Sequence, residues 1–403
     1  ILADEDTAMG GRLLREQEDI DGMPAAEWVA GALAELRGLS NVRMMTRTTV
    51  TGAYDQGTYG AVEQIAGPRA EGKPLECFWR IVAKHAILCA GALERPIAFP
   101  NNDRPGIMMA SAVRAYVNRW GVAPGKSVAI FGNNDDAHRT ARDLVAAGIN
   151  VAAVIDSRED VKVSGDFPVY AGAQVTATKG RHALESITIT HGGGTRVIRT
   201  DCLAMSGGWN PTVHLTCHMN GRPTWNAQIA SFVPTPESIP GLVTAGACNG
   251  AFSTADCLAE GAAVAADLAS GLGLQPKVTV PSADSTAYAI TPLWSVEGKG
   301  RKWIDFQNDV HIKDIKLAAQ ENFRSVEHMK RYTTQGMAPD QGKSSNVVAL
   351  AILADATGRG IPETGTTTFR PPYVPVSIAA MGAGSQGKGF APQRLTTSHK
   401  ATV

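Results

Sequence analysis

Apolar residues between positions 24 and 36 recur at helical spacing, so that Trp28, Val29, Leu33 and Leu36 share one face and predict an amphipathic helix. Three β-rich runs follow, Thr48–Tyr54, 59–65 and 77–82, separated by the turn-rich YDQGT and GPRAEGKP, and they read as an antiparallel meander. The meander leads into HAILCAGALERP, a strand whose bulk gives way to Ala90, Gly91 and Ala92 as it ends. A second unit starts at Ser127. SVAIFG is a short buried strand, 136–147 is helix-like and NVAAVIDSR is another strand, which gives the order β-α-β.

TDCLAMSGGWNP closes this unit, and GLVTAGACNG is one more apolar strand that ends in small residues. Residues 253–272 read as a long Ala-rich helix in which Gly261 is tolerated if something packs closely on it. The Pro-, Ser- and Thr-containing stretch 275–292 lacks periodicity and reads as a linker. Beyond it, DFQNDVHIKDIKLAAQENFRSVEHMKRYTTQGM predicts short helices with paired charges, and NVVALAILADATG a further apolar helix. From Arg370 onward, FRPPYVP and the Gly-rich MGAGSQGKG predict an extended or mobile tail.

Composition narrows the functional classes. The 403 residues are 44% hydrophobic, enough for two or three domains, and 38 basic against 38 acidic residues leave a net charge of zero. Neutrality removes the electrostatic argument for nucleic acid or an anionic membrane as partner, and it permits association with other chains. The cysteines (Cys77, Cys89, Cys202, Cys217, Cys248, Cys257) form no C-x-x-C pair, which argues against a disulfide framework or structural zinc and for a reducing, cytoplasmic setting. No run of about 18 apolar residues and no signal-peptide pattern is present. The first residues, ILADED, read as the end of a buried strand already in progress, so the chain is expected to be part of a longer polypeptide.

A strand ending in an acid is where a dinucleotide fold places the carboxylate that accepts hydrogen bonds from ribose hydroxyls, and Asp4 or Glu5 occupies that position. The second β-α-β unit has its turn in view, and it reads GNNDDAH. Gly132 fits G-x-G-x-x-G, but Asn134 and Ala137 replace the other glycines, and Asp135 and Asp136 would repel a phosphate at the helix start. This unit therefore reads as Rossmann-like with its own nucleotide site lost, although Asp156 still ends its second strand. The small-residue strand ends CAGALERP and TAGACNG suit a sheet edge where backbone passes close to a ligand. HLTCH brings together His214, Cys217 and His218, but no further ligand pair has metal spacing, so solvated or core roles are expected. No G-x-S-x-G supports hydrolysis.

The order strand-acid, Gly-Gly, meander, CAGALERP, inserted unit, GGWNP and TAGACNG resembles the two-dinucleotide-binding-domain flavoproteins. The longer runs CAGALERPIAFPNNDRPGIMMASAVRAYVNRWGVAPGK, DFQNDVHIKDI, RSVEHMKRYTTQGMAPDQGKSSN and GTTTFRPPYVPV, reaching to about Val376, resemble the α subunits of heterotetrameric sarcosine oxidases. The fold class implied is α/β, Rossmann-like, with an antiparallel meander and a small helical ferredoxin-like module without a cluster. The implied division is a dinucleotide domain over 1–126 and 206–274, a degenerate Rossmann-like insertion over 127–205, a linker over 275–300, a helical module over 301–369 and a tail over 370–403.

The resemblance also implies an activity: oxidative demethylation of sarcosine to glycine with formation of hydrogen peroxide. Amine oxidation would take place on a β subunit carrying FAD, with electrons passing to an FMN at the α/β interface and smaller γ and δ subunits completing the complex. The α subunit would bind NAD and carry a tetrahydrofolate domain further toward its C-terminus. By position, Asp4, Glu5, Arg12, Val50, Ala90, Gly91, Ala247, Phe252 and Thr254 would line the NAD site. Gly246-Ala247 replaces the Gly-Asp of flavin-binding relatives, which suits NAD rather than FAD. In the helical module, the four thiolate positions of a [2Fe–2S] protein hold Asp305, Gln307, Asp340 and Ser345, so a cluster is not expected. Lys343, Ser344 and Ser345, with Arg331 and Thr333, are the expected FMN contacts; a capped helix with a solvated lysine is the plain structural reading of the same residues. No catalytic residue is expected on this chain. Alternatives are the α subunit of a related amine, opine or proline dehydrogenase, a free-standing flavin reductase, and a non-catalytic nucleotide-binding docking subunit. The broken glycine fingerprint argues against the reductase.

Overall fold

The computed structural model describes residues 1–65, 74–161, 165–285, 287–382 and 395–402. Most of the GPRAEGKP turn and of the MGAGSQGKG segment thus lies outside the described residues.

Alternation along SVAIFG organises the central layer. Val128 and Ile130 face one way, with Val113, Ala137, Ala141 and Leu144 of two helices, Ala110–Trp120 and Asp136–Ala146. Ala129 and Phe131 face the other way, against Val175, Ile187 and Ile189 of a three-stranded antiparallel sheet. Ser127–Gly132 lies inside a five-stranded parallel sheet, in the order Ile107–Met109, Cys202–Ser206, Ser127–Gly132, Asn150–Asp156, Val169–Ala171. Both faces are covered, which is why these strands are apolar throughout. The sheet reaches back to Ile107, upstream of Ser127, because helix Ala110–Trp120 packs in the same layer and carries its preceding strand with it. Three residues, IMM, are too short a run to show this in the sequence.

The meander forms as the pattern predicts, from Thr48–Tyr54, Thr58–Gln64 and Glu76–Val82. Gly57 turns its first hairpin with φ 65°, and a Cβ there would lie 2.1 Å from the Ala83 carbonyl oxygen, so only glycine fits. Two short parallel pairs bring strand ends to a common side: Leu2–Ala3 with Met44–Met45, and Ala86–Leu88 with Leu242–Thr244. Helix Ala25–Arg37 buries Val29 and half-buries Trp28, Leu33 and Leu36.

Helix Thr254–Gly271 starts where the sequence places it. Ser253 accepts a hydrogen bond from the Asp256 N–H (3.0 Å), and Ser253→Ala is expected to cost about 1 kcal/mol, read by thermal unfolding. Gly261 differs from expectation: a Cβ there would meet nothing within 4 Å, so close packing is not its reason.

The helical module packs Ile312–Gln320 and Val326–Thr333 around Asn346–Thr357. The latter is buried from Asn346 to Ala354 without a polar face, as befits the centre of a small core with Ile304, Ile315 and Met329. The stretch expected to be a free linker is pinned to the body: Ser282 bonds to Asp21, and Ala289 and Thr291 bond to the Asn133–Asp135 turn. The tail is tied down as far as it is described up to Gly382. The Tyr373 N–H donates to the Thr51 carbonyl (2.6 Å), and Ile378–Gly382 lies against strand Glu76–Val82. Among the described residues, no helix is long and apolar enough to cross a membrane.

Candidate functional sites

The first candidate site gathers where the Gly-Gly turn meets the long Ala-rich helix. Gly10 has φ 132°, and a Cβ on it would come 2.8 Å from the Val29 side chain, so glycine lets the following turn, Gly11–Arg15, approach the body closely. That turn aims Arg12 at the helix start: its guanidinium donates to the Phe252 carbonyl (2.8 Å) and to the Thr254 hydroxyl (3.2 Å). Three residues expected to face a dinucleotide, far apart in sequence, therefore touch.

Ala90, Gly91 and Ala247 follow the parallel strands Ala86–Leu88 and Leu242–Thr244, so they share one edge; Ala90 is exposed and Gly91 has φ 70°. Asp4 ends its strand, accepts a hydrogen bond from the Asp6 N–H (2.9 Å) and lies beside exposed Glu5. Val50 is half-buried on the meander. No hydrogen bond joins Asp4 or Glu5 to Arg12 among the described residues.

Two features here carried no sequence signal. Glu260, from the next helix, accepts a hydrogen bond from the Gly246 N–H (2.7 Å) and another from the Asn249 side chain. Behind Arg12, Glu16 and Glu18 meet Arg139, and Glu16 and Asp136 meet Arg114 at 2.7 and 3.0 Å. This buried ion network joins the dinucleotide turn to the inserted unit.

The turn GNNDDAH of the inserted unit is filled by the chain itself. The Asp135 N–H donates to the Ala289 carbonyl (3.2 Å), Ala289 N–H donates to the Asp135 carboxylate (2.8 Å), and Asn133 and Thr291 exchange hydrogen bonds. Asp156 accepts from His138 (2.6 Å) and Arg158 (2.8 Å). Burial opposes its ionisation, but the bonds from His138 and Arg158 outweigh that and hold its carboxyl below the usual range. Side chains and backbone of the chain itself thus cover this turn and the Asp156 carboxylate.

In the helical module, hydrogen bonds tie Asp305, with Gln307, and Ser345 to the loop at Gln335 and Gly336, while Asp340 accepts from the Gly342 N–H (3.2 Å). The Asp305 carboxylate accepts from the N–H groups of Gln307, Asn308 and Gly336 (2.9, 3.1 and 2.7 Å). Asp340 is close enough to Asp305 that the second carboxylate adds to burial in raising its pKa. Ser345 is buried and accepts from Gln335 (2.9 Å). Lys343 donates to the Tyr373 and Asp340 carbonyls (2.7 and 3.1 Å) and lies 4.2 Å from the Tyr373 ring centroid. Burial pulls its pKa down. Ser344 is half-buried, and Thr333 closes its helix by donating to the Met329 carbonyl (2.8 Å). Lys343 is thus a braced group, not the solvated lysine of the plain structural reading.

Beside these residues opens a cleft of about 360 Å³, lined by Glu327, Lys330, Arg331, Met337, Phe369 and Arg370 among others. Arg331 pairs with Glu327 (3.2 Å), while Lys330 and Arg370 form no ion pair among the described residues. Burial, with Arg331 and Arg370 nearby, lowers the Lys330 pKa. Lys330 and Arg370 were not singled out in the sequence, because Arg370 reaches the cleft only through the folding-back of the tail.

His214 is a core histidine and His218 is half-buried, accepting from the Ala53 N–H (3.3 Å); burial depresses them to about 3 and about 4, and His214 packs on Phe369 and Tyr373 at 4.2 and 5.3 Å. All six cysteines are free thiols.

Residues 299–385 match the family described as the sarcosine oxidase A3 domain. Along 99% of its length the chain is 46% identical to the sarcosine oxidase subunit alpha of Rhizobium meliloti strain 1021 and 37% identical to that of Corynebacterium sp. strain P-1. It spans 41% and 44% of those relatives, less than half of their length. In fold it is similar to the crystal structure of L-proline dehydrogenase from P. horikoshii, with a TM-score of 0.73 at 19% identity, covering 94% of this chain and 74% of that one.

Proposed function

We propose, for a chain related over nearly its whole length to a segment of the sarcosine oxidase α subunits, that it binds NAD in the Arg12 cleft and one side of an interfacial FMN in the helical module. The complex would demethylate sarcosine to glycine with formation of hydrogen peroxide, amine oxidation taking place on an FAD-carrying β subunit. Smaller γ and δ subunits, a tetrahydrofolate domain beyond this segment and a cytoplasmic setting complete the proposal.

The observation that carries it is the cationic cleft. Three basic groups against one carboxylate, two of them without an ion-pair partner, suit a phosphomonoester, whose charge approaches −2 at neutral pH. Phe369, Met337 and Pro371 offer apolar surface for a ring system. FMN bound there would supply the route by which electrons from the amine reach oxygen. Arg331 would meet the phosphate directly, while Thr333 fixes the helix end that presents it. Lys343, Ser344 and Ser345 would act behind the cleft, since Lys343 and Ser345 spend their polar groups on Tyr373, Asp340 and Gln335.

For NAD, the bonds of Arg12 to the Phe252 carbonyl and the Thr254 hydroxyl tie the Gly-Gly turn to the segment that follows Ala247, with Glu16 and Glu18 at 3.8 and 3.7 Å from the guanidinium. Asp4 and Glu5 would accept from the ribose hydroxyls, with Val50 packing beside them. Ala247 presents no carboxylate to a flavin ribityl chain, which supports NAD over FAD.

In the purified complex, Arg331→Glu is expected to weaken FMN retention at least about tenfold, because a charge reversal at a charge-assisted contact costs more than its loss. NAD affinity should stay within about twofold, because Arg331 bonds with Glu327 and with none of the residues assigned to the NAD cleft. Full FMN content in the variant would contradict the assignment.

A further inference from the structure

The cleft is built from three chain segments that share no sheet or helix: 336–341, the helix carrying Lys330 and Arg331, and the returning strap 368–371. One buried side chain touches the first of these and Thr367, the residue that precedes the last. The Asn346 carboxamide oxygen accepts from Gln335 (3.0 Å), and its amide donates to the Gln341 carbonyl (3.3 Å) and to the Thr367 hydroxyl (3.4 Å). The same oxygen rests on two glycines at positive φ. A Cβ on Gly336 would come within 2.6 Å of it, and a Cβ on Gly342 within 2.2 Å. Asn346 is 5% exposed, and it heads the most buried helix of the module, so its position is set by the core. Thr368 continues the strap by donating its N–H to Glu327, the carboxylate that orients Arg331.

We infer that Asn346 is a positioning residue for the cleft: it fixes the spacing between the 335–342 loop and the 367–371 strap, and thereby the distance at which Arg370 faces Lys330 and Arg331. The ligand class it tunes for is a phosphomonoester, since the spacing of the cations governs recognition of phosphate and not of an attached ring. This inference rests on the proposed flavin site and adds a residue that touches no ligand.

The test is Asn346→Asp in the intact complex, with FMN and riboflavin as probes and amide hydrogen exchange as an independent measurement. The aspartate keeps the shape and the acceptor for Gln335 but, ionised, cannot donate to Gln341 or Thr367; Asn346→Leu removes the same donors without adding a charge near the cations, and the loss of preference must appear in both variants. Losing buried hydrogen bonds of this kind should reduce the preference for FMN over riboflavin by roughly five- to a hundredfold, and exchange should rise in 335–342 and 367–371 together. A merely structural role would lower the melting temperature and leave the preference unchanged; that result, or exchange rising in the helix alone, overturns the inference. Should Asn346→Asp fail to fold, Thr367→Val removes only the strap contact. It is then expected to raise exchange in 367–371 and lower the preference by a smaller factor, and unchanged exchange and preference would overturn the inference. Wild-type complex that shows no preference for FMN over riboflavin would sink the flavin site itself, and the positioning role for phosphate with it.

Discussion

Arg114→Ala is expected to destabilise the protein by about 3–5 kcal/mol, the range for removing one partner from a buried ion pair. Arg114 is 2% exposed and holds Glu16 at 2.7 Å and Asp136 at 3.0 Å. Burial disfavours its charge, but Asp136 and Glu16 outweigh that and push its pKa above the ordinary arginine range. Alanine would strand two carboxylates in the interior, leaving Arg139 beside both and Arg12 3.8 Å from Glu16. Urea unfolding followed by tryptophan fluorescence measures the loss. Adding Glu16→Gln to the variant should recover part of it, because the stranded charge is then removed; a loss below about 1 kcal/mol would mean that Arg139 and Arg12 together can hold the network. The local consequence bears on function. Arg114 belongs to the helix of the inserted unit's sheet, and Glu16 to the turn that carries Arg12, so the variant should also loosen Arg12 and weaken the NAD binding proposed there.

The second large effect depends on pH and has the opposite direction. Glu94 is buried next to Asp136, and burial followed by that repulsion raises its pKa from 4.5 to about 7, despite a hydrogen bond from the Ser111 N–H (2.7 Å). The folded state therefore binds a proton that the unfolded state releases between about pH 4.5 and 7. Stability contributed by the protonated acid is present below the unfolded value and is lost as pH rises through 7. Glu94→Gln keeps the shape without the charge. It should be near neutral at pH 4.5 and raise stability progressively to about 3 kcal/mol above pH 7, an order-of-magnitude figure for a shift of this size. Melting temperatures of both proteins across pH 4 to 9 check it; parallel curves would show that Glu94 does not titrate in this interval.

Local pattern was a good guide wherever a segment is shaped by its own layer. SVAIFG spans Ser127–Gly132, NVAAVID spans Asn150–Asp156, and the meander pairs Val50 with Ala61 and Tyr59 with Ile81, because alternation and turn glycines report burial residue by residue. The Ala-rich helix and its Ser253 start were legible for the same reason. Strand Ile107–Met109 was not, being too short to show a period, and Gly261 misled, since a glycine can be tolerated over open space as well as under a close contact.

The candidate sites divide along the same line. The missing glycines and the acids of GNNDDAH were readable; that Ala289 and Thr291, more than 150 residues away, cover this turn was not. The chemical identity of Asp305, Gln307, Asp340 and Ser345 excluded thiolate ligation in advance, but the bonds that tie Asp305 and Ser345 to the loop at Gln335 and Gly336 depend on loops closing over a core. Arg12, Phe252 and Thr254 could be named singly from the sequence, and only folding brings a guanidinium to within 2.8 Å of a carbonyl 240 residues along. Lys330, Arg331 and Arg370 face one cleft because the Pro-rich tail returns to bond with Thr51 and Lys343. The sequence by itself determined which chemistry is possible at each position, because side-chain type and local periodicity are properties of neighbouring residues. Where charges meet, which donors are already used and what spacing a phosphate would encounter were decided by the tertiary structure, because those depend on distances between segments that share no local period.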